Sequence, residues 1–186
     1  MSTGIVIAGI VLIAVILLWI IMSYNGFVKL KNSVEEAFST MDVYLKKRYD
    51  LIPNLVETVK GYAGHEKETL QNVTEARNMA QNAATVEEKL ANENMLSGTL
   101  KSLFAVSENY PDLKANQNFM DLQKQLQTVE EDIANARKFY NAIVKMLNTR
   151  VEMFPSNLIA RLFHFSRQPM FEVGTEGERE NVKVQF

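Results

Sequence analysis

The residues most capable of chemistry form a short run, His65-Glu66-Lys67-Glu68-Thr69, that begins like the helix of a zinc protease. That helix needs a second histidine four residues after the first, so that two imidazoles share the metal. Position 69 is threonine, so a zinc site would lack ligands. A di-iron bundle needs Glu-x-x-His on two helices, and residues 62 and 161, three before the histidines, are tyrosine and arginine. We therefore expect no metal and no cofactor.

Other catalytic motifs are also missing from the sequence. It contains no Walker loop, no paired-glycine nucleotide fingerprint and no Gly-x-Ser-x-Gly elbow. Carboxylates cluster at Glu35-Glu36 and at Glu130-Glu131-Asp132. Both clusters fall on polar faces of predicted helices, where solvated charges are far more common than acid–base groups. We expect that the protein is not an enzyme and has no catalytic residues.

Charge and cysteine content narrow the possible partners. Lysine and arginine total 20 against 22 aspartate and glutamate, and cysteine is absent. Phosphate binding needs a concentrated basic surface, so nucleic acid is not an expected partner. Disulfide and thiolate chemistry are excluded because no cysteine is available.

An apolar run near the N-terminus predicts a membrane-spanning helix. Residues 5–22 read IVIAGIVLIAVILLWIIM without a charge. At about 1.5 Å per residue this run covers roughly 27 Å, close to the hydrocarbon thickness of a bilayer. Trp19 and Tyr24 lie near one end, as interfacial aromatic residues do. We predict a short N-terminus (1–4) and one transmembrane helix (5–24), rather than a buried core helix or a cleaved signal peptide.

Basic residues flank this run on one side only. Lys29 and Lys31 follow it, whereas the preceding residues carry no basic side chain. By the positive-inside rule, the N-terminus is expected outside the cell and the body in the cytoplasm.

The body, residues 26–154, has helical periodicity. Apolar residues recur at steps of three and four, which predicts a helix with one buried face. The stripe comprises Leu30, Val34, Phe38, Met41, Leu45, Tyr49, Ile52, Leu55, Val59 and Tyr62. Pro53 removes one backbone donor and crowds the Tyr49 carbonyl, so we expect either a kink near residues 49–52 or a new helix capped by Asp50.

Breaker and capping residues divide the rest of the body. Glycines 61 and 64 predict the end of the first helix. A second helix is expected over 66–82 and a third from the capping box Thr85-Val-Glu-Glu88 to about residue 110, although one unbroken helix over 66–109 remains an alternative. The inward residues are Leu70, Val73, Ala76 and Ala80, then Leu90, Leu96, Leu100, Leu103 and Val106.

A loop over 111–118 precedes the most regular helix, which Pro155 ends. Its inward residues are Phe119, Leu122, Leu126, Val129, Ile133, Ala136, Tyr140, Ile143, Leu147 and Val151. This spacing is typical of coiled-coil packing. The predicted fold is therefore all-α: a transmembrane helix followed by an elongated antiparallel bundle of three to four long helices.

Two segments follow the bundle. Residues 155–168 are amphipathic and predict either a cap on the bundle end or a helix lying at the membrane surface. The tail, 169–186, alternates apolar and polar residues at Phe171 and Val173 and again at Val182, Val184 and Phe186. This period of two predicts a short β-hairpin, with a flexible tail as the alternative.

Several runs resemble a known family. Residues 44–77 (YLKKRYDLIPNLVETVKGYAGHEKETLQNVTEAR), 103–119 (LFAVSENYPDLKANQNF), 136–150 (ARKFYNAIVKMLNTR) and 154–163 (FPSNLIARLF) closely resemble the LemA family of bacterial membrane proteins. The resemblance covers essentially the whole chain after Gly26. It implies a single-pass helical bundle in the bacterial plasma (inner) membrane, with an external N-terminus, an internal body, and no family reaction or cofactor.

These observations favour a membrane-anchored scaffold or adaptor that forms a homo-oligomer. The alternative is a regulatory partner subunit of a membrane protease or signalling protein. The expected partners are the lipid bilayer, further copies of the chain and another membrane protein. The candidate interaction residues are Tyr49, Pro53, Asn54, Tyr110, Pro111, Phe154, Leu158, Ile159, Leu162 and Phe163.

Overall fold

The computed structural model describes residues 2–171, and over this range the chain is helical without a strand. The helices are α1 (Ser2–Tyr62), α2 (Lys67–Gln81), α3 (Val86–Ser107), α4 (Pro111–Lys114), α5 (Gln117–Glu152) and α6 (Ser156–Leu162). The all-α prediction is confirmed for this part of the chain. The predicted hairpin depends on residues 172–186, which lie outside the described range.

Helix α1 combines the predicted membrane span with the first helix of the body. It runs for 61 residues, and Gly26 does not interrupt it. Within residues 2–171 it is the one helix long and apolar enough to cross a membrane. Its apolar side chains are exposed, including Leu12 at 61% and Ile13 at 59%. Exposing these apolar side chains to water is unfavourable, whereas contact with lipid is favourable. The helix is therefore compatible with membrane anchoring.

The chain divides into two compact units. The first unit contains Met1–Ser39 and Lys138–Met170, and the second contains Thr40–Arg137 together with Phe171. Each unit has its own buried apolar residues.

The second unit buries most of the predicted stripes. Its buried apolar residues include Met41, Leu45, Ile52, Leu55, Val59, Leu70, Val73, Ala76, Ala80, Leu90, Leu96, Leu100, Leu103, Phe119, Leu126, Val129 and Ile133. Full burial of each large aliphatic side chain contributes about 1.5–3 kcal/mol. Tyr62 does not follow the stripe: it is 44% exposed, and its hydroxyl accepts a hydrogen bond from the Asn116 side chain at 2.9 Å. The prediction for Tyr62 was wrong because α1 ends at this residue.

Helices α2 and α3 are separate, so the alternative of one helix over 66–109 was wrong. Thr85 caps α3: its hydroxyl accepts from the backbone N–H of Glu88 at 3.1 Å, and the Glu88 carboxylate accepts from the Thr85 N–H at 3.3 Å. This reciprocal pair satisfies two donors that the first turn leaves free, which contributes about 1 kcal/mol. The predicted capping box is confirmed.

Pro53 lies inside α1, so the alternative of a new helix beginning at Asp50 was wrong. Proline has no N–H, and the Tyr49 carbonyl therefore lacks its usual partner four residues later. The Nε of Arg77, on α2, donates to this carbonyl at 2.7 Å. A neighbouring helix thus supplies the hydrogen bond that proline removes, while the kink over 49–52 stays a prediction.

The expected loop over 111–118 contains one helical turn, α4. Pro111 occupies its first turn, where a missing N–H costs nothing. The Asn116 side chain then accepts from the backbone N–H of Phe119 at 3.0 Å and caps the start of α5. Pro111 begins a short helical turn and Asn116 caps the next helix. The sequence had predicted an irregular loop over this segment.

The first unit packs α6 and the following segment against α1 and α5. Its buried residues include Phe27, Val34, Tyr140, Val144, Leu147, Ile159 and Ala160. Val144 is fully buried whereas Ile143 is half-buried, so the predicted inward position is shifted by one residue. The Asn148 side chain donates to the Gln168 carbonyl at 2.9 Å and accepts from its N–H at 2.8 Å, which fixes the chain beyond α6.

Candidate functional site

The last part of α5 carries an apolar seam on its outer side. Phe139, Met146 and Met153 are exposed at 57%, 56% and 58%. Phe139 and Met146 are seven residues apart on α5, which is two helical turns, and Met153 directly follows the helix with its N–H bonded to the Thr149 carbonyl at 2.9 Å, so the three lie on one face. Ala142 and Thr149, also exposed, occupy the intermediate positions. We call these five residues the outer seam.

The outer seam is distinct from the inner face of the same helix. In the first unit, α5 buries Tyr140, Val144 and Leu147, which pack inside the unit. The helix thus has a second row with the three-four alternation of a coiled coil, and the side chains of that row are exposed. This row was not predicted, although the seven-residue spacing of Phe139, Met146 and Met153 was its signal in the sequence.

A groove extends the outer seam toward the apolar part of α1. It has a volume of about 920 Å³, and Trp19 and Met22 line it together with Met146, Met153 and Phe154. Contiguous exposed apolar surface on a protein commonly marks contact with another protein or a membrane. The anchor end of the first unit is therefore the most apolar candidate interaction surface that the described residues offer.

Helix α6 and the residues that flank it present most of the apolar residues predicted to make contacts. Phe154, Leu158, Leu162 and Phe163 are exposed at 77%, 53%, 64% and 42%. Ile159, by contrast, is 3% exposed and packs inside the first unit with Ala160. Ile159 is thus a core residue, while the contact role of the other four stays a prediction.

The remaining candidate residues belong to the second unit. Tyr49 is buried at 4% exposure, whereas Pro53, Asn54 and Pro111 are exposed. Tyr110 is half-buried, and its hydroxyl donates to the Glu66 carboxylate at 2.9 Å. The geometry therefore gives Tyr49 an internal role and leaves an external role of Pro53, Asn54 and Pro111 as a prediction.

A charged cluster lies in the core of the second unit, centred on Arg48, which is fully buried. One guanidinium nitrogen pairs with the fully buried Glu93 carboxylate on α3. The other donates to the Ser97 hydroxyl at 2.9 Å and to the Glu130 carboxylate, on α5, at 2.7 Å. Tyr49 also donates its hydroxyl hydrogen bond to Glu93. Three helices are joined through one arginine.

This cluster corrects one expectation. Lys46 pairs within α1, with Asp50 at 2.7 Å, but Arg48 pairs with residues of other helices. Glu130, expected on a solvated face, contacts the buried Arg48. Local sequence patterns do not predict such a cluster, because Arg48 and Glu93 are 45 positions apart in the chain.

The chemistry of the cluster is structural. Burial raises the pKa of the Tyr49 hydroxyl to about 12. Burial and the nearby Arg48 charge lower the pKa of Arg137, 3.8 Å from Glu93, to about 10. Both values lie far above neutral pH, so neither group exchanges protons under ordinary conditions. Among residues 2–171, no three histidine, aspartate or glutamate side chains gather as metal ligands would.

Comparison with known sequences identifies the family. The sequence model of the LemA family matches residues 37–186. This chain belongs to the LemA family. The resemblance inferred from the runs at 44–77, 103–119, 136–150 and 154–163 is confirmed.

The chain is also similar to individual proteins, one named LemA and others named MamQ. The chain is 26% identical to the protein named LemA of Metamycoplasma hominis, over 85% of this chain and 72% of that protein. It is 22% identical to magnetosome protein MamQ 2 of Paramagnetospirillum magneticum and 21% identical to magnetosome protein MamQ of Magnetospirillum gryphiswaldense, in each case over 90% of this chain and 71% of the relative.

Tyr49 gives this LemA-family chain a spectroscopic prediction. In an alkaline titration of the native protein followed by tyrosinate absorbance, we expect a late step near pH 12, which Tyr49→Phe removes. The same step should be lost in denaturant, where tyrosine ionises near its ordinary value of about 10. A late step that persists in Tyr49→Phe would assign it to another tyrosine.

Tyrosinate absorbance is a better readout than the pH dependence of the free energy of unfolding. The pKa shifts of Tyr49 and Arg137 change that free energy in opposite directions as pH rises. The raised pKa of Tyr49 favours the neutral hydroxyl in the folded state, so its stabilising contribution is lost as pH rises from 10 to about 12. The lowered pKa of Arg137 penalises its charged form, and that penalty is relieved as pH rises from about 10 to 12.5. Tyrosinate absorbance does not respond to Arg137, and the difference between the native protein and Tyr49→Phe isolates the Tyr49 step.

Proposed function

We propose that this LemA-family chain is a membrane-anchored, non-enzymatic scaffold that self-assembles through the outer seam of α5. The observation that supports self-assembly is the heptad row of exposed Phe139 and Met146 on α5, continued by Met153 directly after it, on a helix whose opposite face is already buried. Exposure of such an apolar row to water is unfavourable. A second helix with the same spacing would bury the row.

Membrane anchoring restricts how two copies can meet. Copies inserted in one bilayer with the same orientation are related by an axis along the membrane normal, so their α5 helices run parallel. In a parallel pair, equivalent seam positions face each other, and Met146 of one copy approaches Met146 of the next.

The absence of cysteine makes this arrangement testable. In membranes containing full-length Met146→Cys, oxidation is expected to form a disulfide-linked dimer, because equivalent seam positions lie within the roughly 4.4–6.8 Å Cα separation that a disulfide spans. The matched control is Met79→Cys on α2, a methionine of similar exposure at 52% against 56%. Non-reducing electrophoresis of both variants provides the measurement.

Equal linking of the two variants would contradict self-assembly through the outer seam. So would a monomeric mass for the detergent-extracted protein. Links from Met146→Cys to one foreign membrane protein would instead favour the alternative function, a regulatory subunit of a membrane protease or signalling protein.

The proposal places the body in the cytoplasm of a bacterium, with the N-terminus outside the plasma membrane. Lys29 and Lys31, which follow the apolar run, support this orientation. Labelling of Met79→Cys in intact cells by a membrane-impermeant maleimide would contradict it.

A further inference from the structure

We propose that α6 is a second membrane contact, which lies on an anionic phospholipid surface beside the point where α1 leaves the hydrocarbon core. This inference rests on the membrane anchoring in the proposed function, but it does not depend on self-assembly. It is carried by the depth at which α6 is held, by its exposed face and by its charge.

Aromatic contacts fix the depth of α6 along α1. The ring of Tyr24 lies 4.8 Å from that of Phe163 and 5.8 Å from that of Phe165. The Phe27 ring stacks on Phe165 with centroids 4.8 Å apart. These contacts connect the end of α6 to the turn of α1 that directly follows the charge-free run.

That turn corresponds to the headgroup layer of a bilayer. The charge-free run ends at Met22, so Tyr24 and Phe27 lie two and five residues beyond it. At about 1.5 Å per residue, these positions are roughly 3–8 Å past the run. The headgroup region adds roughly 5–8 Å on each side of the hydrocarbon. If residues 5–22 fill the hydrocarbon, α6 is held at headgroup depth.

The exposed face of α6 is apolar in a helical pattern. Leu158 and Leu162 are four residues apart on α6, exposed at 53% and 64%, and so form one row, and Phe154, two residues before α6, is exposed at 77%. Ile159 and Ala160 occupy the opposite side, buried at 3% and 1%. The segment is therefore attached to its own unit by one face and presents the other outward, as an interfacial helix does.

The charge around this face complements an anionic surface. Residues 150–168 contain three arginines, Arg150, Arg161 and Arg167, against one acidic residue, Glu152, which pairs with Arg167 at 2.8 Å. The Arg150 guanidinium stacks 5.2 Å from the Phe27 ring centroid, in space that Gly26 leaves free. Basic side chains beside an inserted apolar row favour phosphate headgroups of negative lipids.

A fluorescence experiment on the full chain tests the contact. Leu162→Cys, labelled with an environment-sensitive fluorophore, is reconstituted in vesicles of phosphatidylcholine and phosphatidylglycerol that contain a lipid with a headgroup nitroxide quencher. We expect quenching several-fold stronger than for the label at Met79→Cys, an exposed methionine of the second unit. Equal quenching of the two labels would overturn the proposal.

A charge variant tests the choice of lipid. Quenching at Leu162→Cys should increase from pure phosphatidylcholine vesicles to the mixed vesicles, and Arg161→Gln should reduce that increase while the exposed control Lys124→Gln preserves it. No increase with phosphatidylglycerol would overturn the anionic preference. A label that is shielded in cells by a cross-linked protein but not quenched in vesicles would show a protein on this face instead and would also overturn the proposal.

The outcomes separate this inference from the proposed function. A chain that remains in the membrane after alkaline extraction but shows no quenching at Leu162→Cys would contradict the lipid contact alone. Quenching without a Met146→Cys dimer would support the lipid contact and contradict self-assembly.

Discussion

Replacing Arg48 by methionine is expected to lower the free energy of unfolding by about 3–5 kcal/mol, because it leaves a buried carboxylate without its charged partner. Glu93 is fully buried and pairs with Arg48, and the same guanidinium bonds Ser97 and Glu130. Denaturant unfolding of the full-length protein in detergent, followed by circular dichroism, measures the loss. The effect is large because Glu93 is fully buried, so water cannot replace the missing Arg48 guanidinium.

Lys46→Met is the matched control for this prediction. It removes a neighbouring cation of α1 whose pair with Asp50, 2.7 Å long, is exposed. Exposed pairs of this kind contribute about 0.3–0.5 kcal/mol, so little should change. The double variant Arg48→Met with Glu93→Met removes both members of the buried pair and is expected to recover part of the loss. An Arg48→Met variant as stable as the control would show that the cluster is solvated.

A second large effect is expected in the membrane span. Leu12→Arg combined with Ile13→Arg places two charges at the middle of the apolar run, at a cost of about 2.5–3.5 kcal/mol each for insertion. We expect the double variant to move from the membrane pellet to the supernatant on alkaline extraction, whereas the unaltered chain remains in the pellet. Quantitative blotting of both fractions measures the change.

The control for this variant introduces the same charges elsewhere. Val43 and Met79 are exposed apolar residues outside the run, at 56% and 52%. Arginine at both positions should leave the chain in the membrane, because neither side chain contacts the hydrocarbon core. Retention of the Leu12→Arg and Ile13→Arg variant in the pellet would contradict residues 5–22 as the anchor.

Local patterns in the sequence predicted the helices well. The buried residues of α2, Leu70, Val73, Ala76 and Ala80, follow from helical periodicity, and Thr85 follows from the capping box. These features depend on residues within a few turns of one another, so a single sequence contains them. The one-residue shift from Ile143 to Val144 shows the limit, because the packing partner decides which of two adjacent apolar residues is buried.

Contacts between distant residues could not be predicted in the same way. Arg48 lies in a basic run that is typical of a solvated surface, and only the folded chain brings Glu93 and Glu130 to it. The outer seam was missed for a different reason. Phe139, Met146 and Met153 are separated by polar and buried positions, and the stronger inner row of α5 masks their spacing.

The hydrogen bond from Arg77 to the Tyr49 carbonyl makes Pro53 part of the alignment between two helices. The carbonyl that proline leaves free occurs once along α1, because Pro53 is the proline inside that helix. A shift of α2 by one turn would leave this acceptor empty. Pro53 and Arg77 together therefore fix the axial register of α1 and α2. Replacing Pro53 returns the Tyr49 carbonyl to the helical ladder, and replacing Arg77 leaves that carbonyl without a side-chain donor, so either change should loosen the register.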